Sequence, residues 1–349
     1  MSNGSASTAE KPLDIEGQGM INPETIVSLA SDAADRIAGF IVATPVVEIG
    51  SFSQDGAQVL VKDETRQHGR SFKDRGATNG VASHSENGEE AIMTSSAGSH
   101  GISMSRAAQK YGLKADVVMS ERATEEKKTA IRRYGAEVIT HGEIFDDALE
   151  HGLSLAEDRK VPHLHPFADK LVIAGQATIG LELLEQTPDM THLVLPVGGG
   201  GLLAGVASVI KEHKQGVKII AAQVEGNTAY IDSLRKDRPL REQPVDRRFE
   251  GIAVGNIDPM TFEVAKRLVD QTVAIDAETL YKAIHYFKQE QGTLLETAGG
   301  VGLATASKIA ETALGQGEEV KVITVATGAN PSRNLGPYVE ARARRFGWN

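Results

Sequence analysis

The stretch "THLVLPVGGGGLLAGVASVIKEHKQGVKIIAAQVE", Thr191 to Glu225, decides the fold. It opens as an apolar strand candidate (191–198) and passes through four successive glycines, Gly198 to Gly201. It continues as an apolar helical stretch (202–216) that ends in Gly216, then returns as a β-branched run (217–225). Strand, helix closed by glycine and strand make a βαβ unit. The same alternation runs along the chain. Strand candidates are 57–64, 90–96, 115–121, 136–142, 271–276 and 320–328, and helical stretches include 101–112 and 125–135. The predicted class is α/β, with open, mostly parallel sheets flanked by helices on both faces.

In such sheets ligands bind where strands give way to helices, so the unusual strand-to-helix turns are the places to read for chemistry. Glycines let backbone amides converge on a phosphate without Cβ obstruction. The tetraglycine turn lacks the GK[ST] ending of a nucleotide loop, and no clean dinucleotide fingerprint follows, so a single phosphate is the better guest. A merely flexible loop is the alternative, but four glycines there would cost chain entropy without return.

Three other turns carry chemistry. "GRSFKDRGATNG" (69–80) seats Lys73 behind Phe72 at a helix start. A lysine there either pairs with a neighbouring charge or bonds covalently to a carbonyl carbon. "TSSAGSHG" (94–101) crowds small and hydroxyl residues at another such turn. It reads as an N-cap, or as an anion site in which Ser96, Ser99 and His100 add donors to free amides. "VATGANPSRN" places Thr327 at the end of the last strand, either capping the turn or facing a heteroaromatic nitrogen. Taken together, an aldehyde-binding lysine, a one-phosphate loop and a partner for a ring nitrogen match one cofactor, pyridoxal 5′-phosphate. The remaining anion loop then suits an amino-acid carboxylate.

Composition narrows the partners. The chain has 349 residues and a formal net charge of −10, which argues against nucleic acid or an anionic membrane as partner. Local basic runs such as "RRYGAE" and "EARARRFGWN" read as solvated helix faces. There are no cysteines, so disulfides, thiolate catalysis and zinc–thiolate sites are excluded. The N-terminal segment has no apolar core of a secretory signal, and no run of 18 apolar residues occurs. A cytoplasmic location is expected.

With these motifs in order, from "ATPVVEI" (43–49) to "TGANPSRN" (327–334), the chain resembles the fold type II pyridoxal-phosphate enzymes, whose fold is tryptophan synthase β-like. Within them it is similar to the threonine/serine dehydratase (ammonia-lyase) and serine racemase group. "HPFADKLVIAGQATIGLELLEQ" (165–186), "FEGIAVG" (249–255) and "ETAGGVGLA" (296–304) strengthen the likeness.

The resemblance implies two domains: a large cofactor-binding one of 21–79 with 176–349, and a small one of 80–175 carrying the carboxylate loop. Residues 1–20 are expected to form a flexible tail. Lys73 is implied as the covalent anchor and Phe72 as the ring neighbour. Gly198, Gly199, Gly200, Gly201 and Leu202 are implied as phosphate ligands, and Thr327 as the partner of the pyridine nitrogen. Ser96, Ala97, Ser99 and His100 are implied as the substrate-carboxylate loop, with Glu296 positioning the complex. A homodimer is the expected assembly.

The sequence departs from that group in several places. Ser99 stands where Asn is usual beside the cofactor 3′-hydroxyl. Ala97 stands where racemases carry a Ser, which favours elimination over racemisation. Glu225 and Ala229 match the cation site of racemase-like members, but Ile231 replaces its carboxylate and Asp232 is one step off, so no metal is expected. Only 15 residues follow the last motif, so no effector-binding domain is expected.

The expected reaction is loss of water from L-threonine, L-serine or a related β-hydroxy amino acid, giving a 2-oxo acid and ammonia. The alternative is a β- or γ-replacement reaction, threonine synthase-like or diamino-acid-synthase-like, on an acidic or phosphorylated substrate. In that alternative Arg66, His68 and Arg70 would grip the second acidic group.

Overall fold

A computed structural model describes residues 19–241, 246, 248–249 and 251–348. Of the expected tail, residues 1–18 lie outside the described residues. The strands are β1 (Val46–Glu48), β2 (Ala57–Asp63), β3 (Ala91–Ser95), β4 (Lys114–Met119), β5 (Glu137–Thr140), β6 (His192–Pro196), β7 (Lys218–Val224), β8 (Gln271–Ile275) and β9 (Val320–Ala326). The helices are α1 (Pro23–Ile37), α2 (Lys73–Glu86), α3 (Ser99–Tyr111), α4 (Glu125–Arg132), α5 (Phe145–Arg159) and α6 (Lys170–Gln186). They continue as α7 (Gly201–His213), α8 (Ala229–Arg235), α9 (Pro259–Leu268), α10 (Ala277–Gln291), α11 (Thr297–Gly315) and α12 (Leu335–Phe346).

Two sheets result. The larger has the order β1-β2-β9-β6-β7-β8, and the smaller has β3-β4-β5. All pairings are parallel except β1 with β2. Parallel strands covered on both faces should be apolar throughout rather than alternating. That holds for β6, buried along its whole length. On β7, Ile220, Ala222 and Val224 enter the core beneath α10 and α11, while Ile219 and Ala221 enter the core beneath α7 and α9. Each fully buried Leu, Ile or Val contributes about 1.5–3 kcal/mol.

The strand candidates coincide with β2 to β9 within a residue or two. The edge strand β1 was not anticipated. At three residues, directly after Pro45, it is too short to show a period.

The chain passes between the sheets through helices. Ala77 and Val81 of α2 and Val172 of α6 sit in the core of the small sheet, whereas Ile179 and Leu183 of α6 sit in the core of the large one. The expected domain limits at 79/80 and 175/176 therefore fall inside α2 and α6. The two helices cross at Gly76 and Gly175, so closely that a Cβ on Gly175 would overlap the Gly76 backbone. Glycine is required there by backbone contact.

Beside this crossing lies a buried ion network. Arg75 donates to Glu64 through Nε (2.8 Å) and Nη2 (2.7 Å), and to Glu182 through Nη1 (2.6 Å). Lys62 joins it through Glu182 and donates to Gln186 at 2.8 Å. Bidentate pairing satisfies a guanidinium that is 1% exposed.

Candidate active site

The residues picked out at four separate turns line one cavity. Phe72 and Lys73 come from the start of α2, and Ser96, Ser99 and His100 from the β3–α3 turn. Gly198 to Leu202 come from the β6–α7 turn, Glu296 from the cap of α11, and Thr327 from the end of β9.

Local pairing explains how Lys73 is presented. Segment 70–72 runs antiparallel to 327–329: Phe72 N donates to Thr327 O (3.0 Å) and Ala329 N to Arg70 O (2.9 Å). Asp74 Oδ2 accepts from Gly69 N (2.6 Å) and from Arg106 (3.2 Å), which closes the loop before the helix. Lys73 Nζ donates to Pro166 O at 2.6 Å. Burial lowers the Lys73 pKa to about 8, against the carboxylate of Glu296, which pulls it back up. The amine therefore gives up its proton more readily than an exposed lysine does. His100 is kept neutral, its pKa lowered well below normal by burial and then by the charge of Lys73.

The β3–α3 turn is braced from within. Ser96 Oγ accepts from Gly98 N (3.0 Å) and Gly101 N (2.9 Å). Its lone pairs are thus committed to loop shape, and the donors left for an anion are its O–H and the amides of Ser99 and His100 at the start of α3. The Lys127 side chain runs alongside Gly98 and lines the same cavity.

At the β6–α7 turn Gly200 adopts φ +88°, and a Cβ at Gly199 would fall inside the ring of Phe167. No side chain fits there, and the turn opens directly into α7, whose first amides lack helical acceptors. Thr327 Oγ1, on a residue 3% exposed, has no hydrogen-bond partner among the described residues. A buried orphan hydroxyl needs a guest acceptor or donor. With a side-chain-free amide cradle and a buried amine on the same cavity, the residues fit pyridoxal phosphate. The cradle suits the phosphate, Lys73 the aldehyde and Thr327 the ring nitrogen.

The three cations proposed to grip a second acidic group behave differently. Arg66 Nε pairs with Asp63 at 2.8 Å, Arg70 bends the chain at φ +57°, and His68 is exposed. Among the described residues lining the cavity, Arg66, His68 and Arg70 do not occur, whereas Lys127 and Arg248 do. Asp232 accepts from the Thr228 hydroxyl at 2.7 Å, and no cluster of three metal-ligating side chains occurs among the described residues.

Sequence reasoning assigned no role to Pro166, Phe167, Gln176 or Asn330, which also line the cavity. Gln176 lies in mid-helix with no local signal. Asn330 and Pro166 stand in stretches whose likeness was noticed but whose side chains were not read.

Comparison with known proteins agrees with this geometry. The pyridoxal-phosphate dependent enzyme family matches residues 37–328. The L-threonine ammonia-lyase of Thermotoga maritima is 41% identical over 71% of this chain, which spans 62% of that protein's length. The L-threonine dehydratase catabolic TdcB of Staphylococcus aureus is 34% identical over 87% of this chain and 89% of its own. The processed threonine deaminase isoform 2 of Solanum lycopersicum superposes with a TM-score of 0.86 at 29% identity, covering 93% of this chain and 90% of that one. With the cradle, the amine and the orphan hydroxyl in one cavity, and the match running over most of its length, this chain belongs to the pyridoxal-phosphate dependent enzymes.

Proposed function

We propose that this enzyme removes water from a β-hydroxy L-amino acid of the threonine and serine class and releases a 2-oxo acid and ammonia. The observation that carries the reading is the buried amine of Lys73, lowered to about pKa 8, on the same cavity as the α3 amides and the glycine turn. Relatives named as threonine ammonia-lyases and dehydratases support it.

The bound cofactor supplies an electron sink for the charge left at Cα. The first turn of α7 holds the phosphate, and Thr327 offers a neutral hydroxyl to the ring nitrogen, which does not force its protonation. The start of α3 takes the substrate α-carboxylate and so orients the Cα–H bond. The neutral amine of Lys73 removes that proton as general base. The Cα proton and the β-hydroxyl leave together as water. The released enamine tautomerises to an imine, whose hydrolysis regains the water and yields the oxo acid and ammonia. Ala97 offers no proton beside Cα, so racemisation stays minor.

Incubation with L-threonine, L-serine, 3-hydroxyaspartate and O-phospho-amino acids, with oxo acid and ammonia measured, tests the reading. Oxo acid from an unphosphorylated hydroxy amino acid supports it. Product formed only with an added nucleophile overturns it in favour of replacement. The replacement reading relied on Arg66, His68 and Arg70, which are not among the cavity residues.

The division into 21–79 with 176–349 and 80–175, a homodimer and a cytoplasmic location belong to the same proposal; the first two rest on the resemblance and the third on the sequence composition. No helix among the described residues is long and apolar enough to cross a membrane.

A further inference from the structure

Asn330 follows β9 by a few residues and lines the cavity. Its side-chain Nδ2 donates to Gly69 O at 3.0 Å and to Ser99 Oγ at 3.2 Å. The amide orientation is fixed by chemistry, because a backbone carbonyl only accepts and the group facing Gly69 O must be the NH2. One N–H goes to Gly69 and the other to Ser99. Ser99 Oγ is therefore an acceptor toward Asn330, and its own proton must be donated elsewhere.

The constitution of the cofactor says where. On the pyridine ring the aldehyde carbon stands between the phosphate-bearing arm and the ring oxygen, with the nitrogen opposite. The cavity provides Lys73 for the aldehyde, the glycine turn for the phosphate and Thr327 for the nitrogen. The ring oxygen is the polar substituent still without a partner, and it carries negative charge when the lysine-bound nitrogen is protonated. Ser99 is a cavity hydroxyl that accepts from Asn330 and keeps its own proton to donate.

We propose that Asn330 is a positioning residue. It fixes the Ser99 hydroxyl as a hydrogen-bond donor to the anionic ring oxygen, so that two short groups from different elements do what one longer amide could do alone. This rests on the cofactor being bound at Lys73 in this cavity. The arrangement also ties the start of α3 to the loop that carries Lys73.

The test is spectroscopic. Borohydride trapping of the cofactor on Lys73 in the wild-type holoenzyme comes first; if none is trapped there, the underlying site and this inference both fall. In the loaded enzyme, a donor to the ring oxygen favours the charge-separated tautomer, which absorbs in the visible, over the neutral one, which absorbs in the near ultraviolet. Asn330→Asp turns the donor into an acceptor and claims the Ser99 proton. The visible-to-ultraviolet ratio should fall by about tenfold, the equivalent of one hydrogen bond. Ser99→Ala should do the same, and the double variant should be no worse than Ser99→Ala alone, because Asn330 acts through Ser99. If Asn330→Asp does not take up cofactor, Asn330→Ala is read in the same way, with a smaller drop expected because the freed hydroxyl can still turn. Loaded Asn330 variants with a ratio within twofold of wild type, or effects of the two sites that simply add, would overturn the proposal.

Discussion

The amine of Lys73 and the carbonyl of Pro166 are hydrogen-bonded at 2.6 Å, which joins the root of α2 to the segment leading into α6. A neutral carbonyl holds the amine in place without adding a charge beside it, so burial dominates its titration. Lys73→Ala removes both the covalent anchor and the base. The visible absorbance of the holoenzyme should disappear, and turnover of L-threonine or L-serine should fall by about 10³-fold or more. Absorbance and oxo-acid assays measure both.

Attachment of the cofactor to the apoenzyme requires the neutral amine. Below about pH 8 the ammonium form predominates, so the rate of attachment should rise with pH and level off above that value. Glu296 stabilises the ammonium form, hence Glu296→Gln should move the midpoint to lower pH. Stopped-flow absorbance across pH reads it directly. A midpoint that rises instead would show that Glu296 does not act on Lys73 through its charge.

Arg75, two residues beyond the anchor, is clamped by Glu64 and Glu182. Arg75→Ala leaves Glu64, itself 0% exposed, as a buried carboxylate without its main partner. A loss of about 3–5 kcal/mol is expected in urea denaturation. Replacing both Arg75 and Glu64 by apolar residues of similar volume should cost markedly less than the single change.

The cradle is testable without chemistry. Gly199→Ala puts a methyl into the ring of Phe167 and displaces the turn. Losing one charge-assisted hydrogen bond to the phosphate, about 1.5–3 kcal/mol, weakens cofactor affinity by about 10- to 100-fold. Equilibrium titration of the apoenzyme with the cofactor measures it.

Much of this was legible in the sequence because the signals are local. An apolar run, a tetraglycine turn and an apolar helix announce β6 and α7 whatever the rest of the chain does, and the β3–α3 turn and Lys73 are read the same way. What escaped is set by tertiary direction. Arg66, His68 and Arg70 neighbour Lys73 in sequence, but the pairing of segment 70–72 with 327–329 presents Lys73 to the cavity and leaves those cations outside its lining. Lys127 and Arg248 reach the cavity from distant segments, and no spacing rule links them to it, whereas Asn330 stands three residues beyond Thr327 with a side chain that only the fold aims inward. Ser96 Oγ also accepts from Gly98 and Gly101 and so braces its own loop, a contact that only the folded loop reveals.

The crossing of α2 and α6 at Gly76 and Gly175 has a mechanical consequence. Both helices are continuous rods, α2 seated in the core of the small sheet and α6 shared by both cores, and they touch at a point with no side chain between them, like the blades of scissors at their rivet. Any closing of the smaller blade over a substrate swings α2 as well, and Lys73 stands at that rod's tip. Grip on substrate and retention of the vitamin therefore rise together: an unreactive amino-acid analogue should slow escape of the vitamin from the protein, though the two ligands are held by different turns.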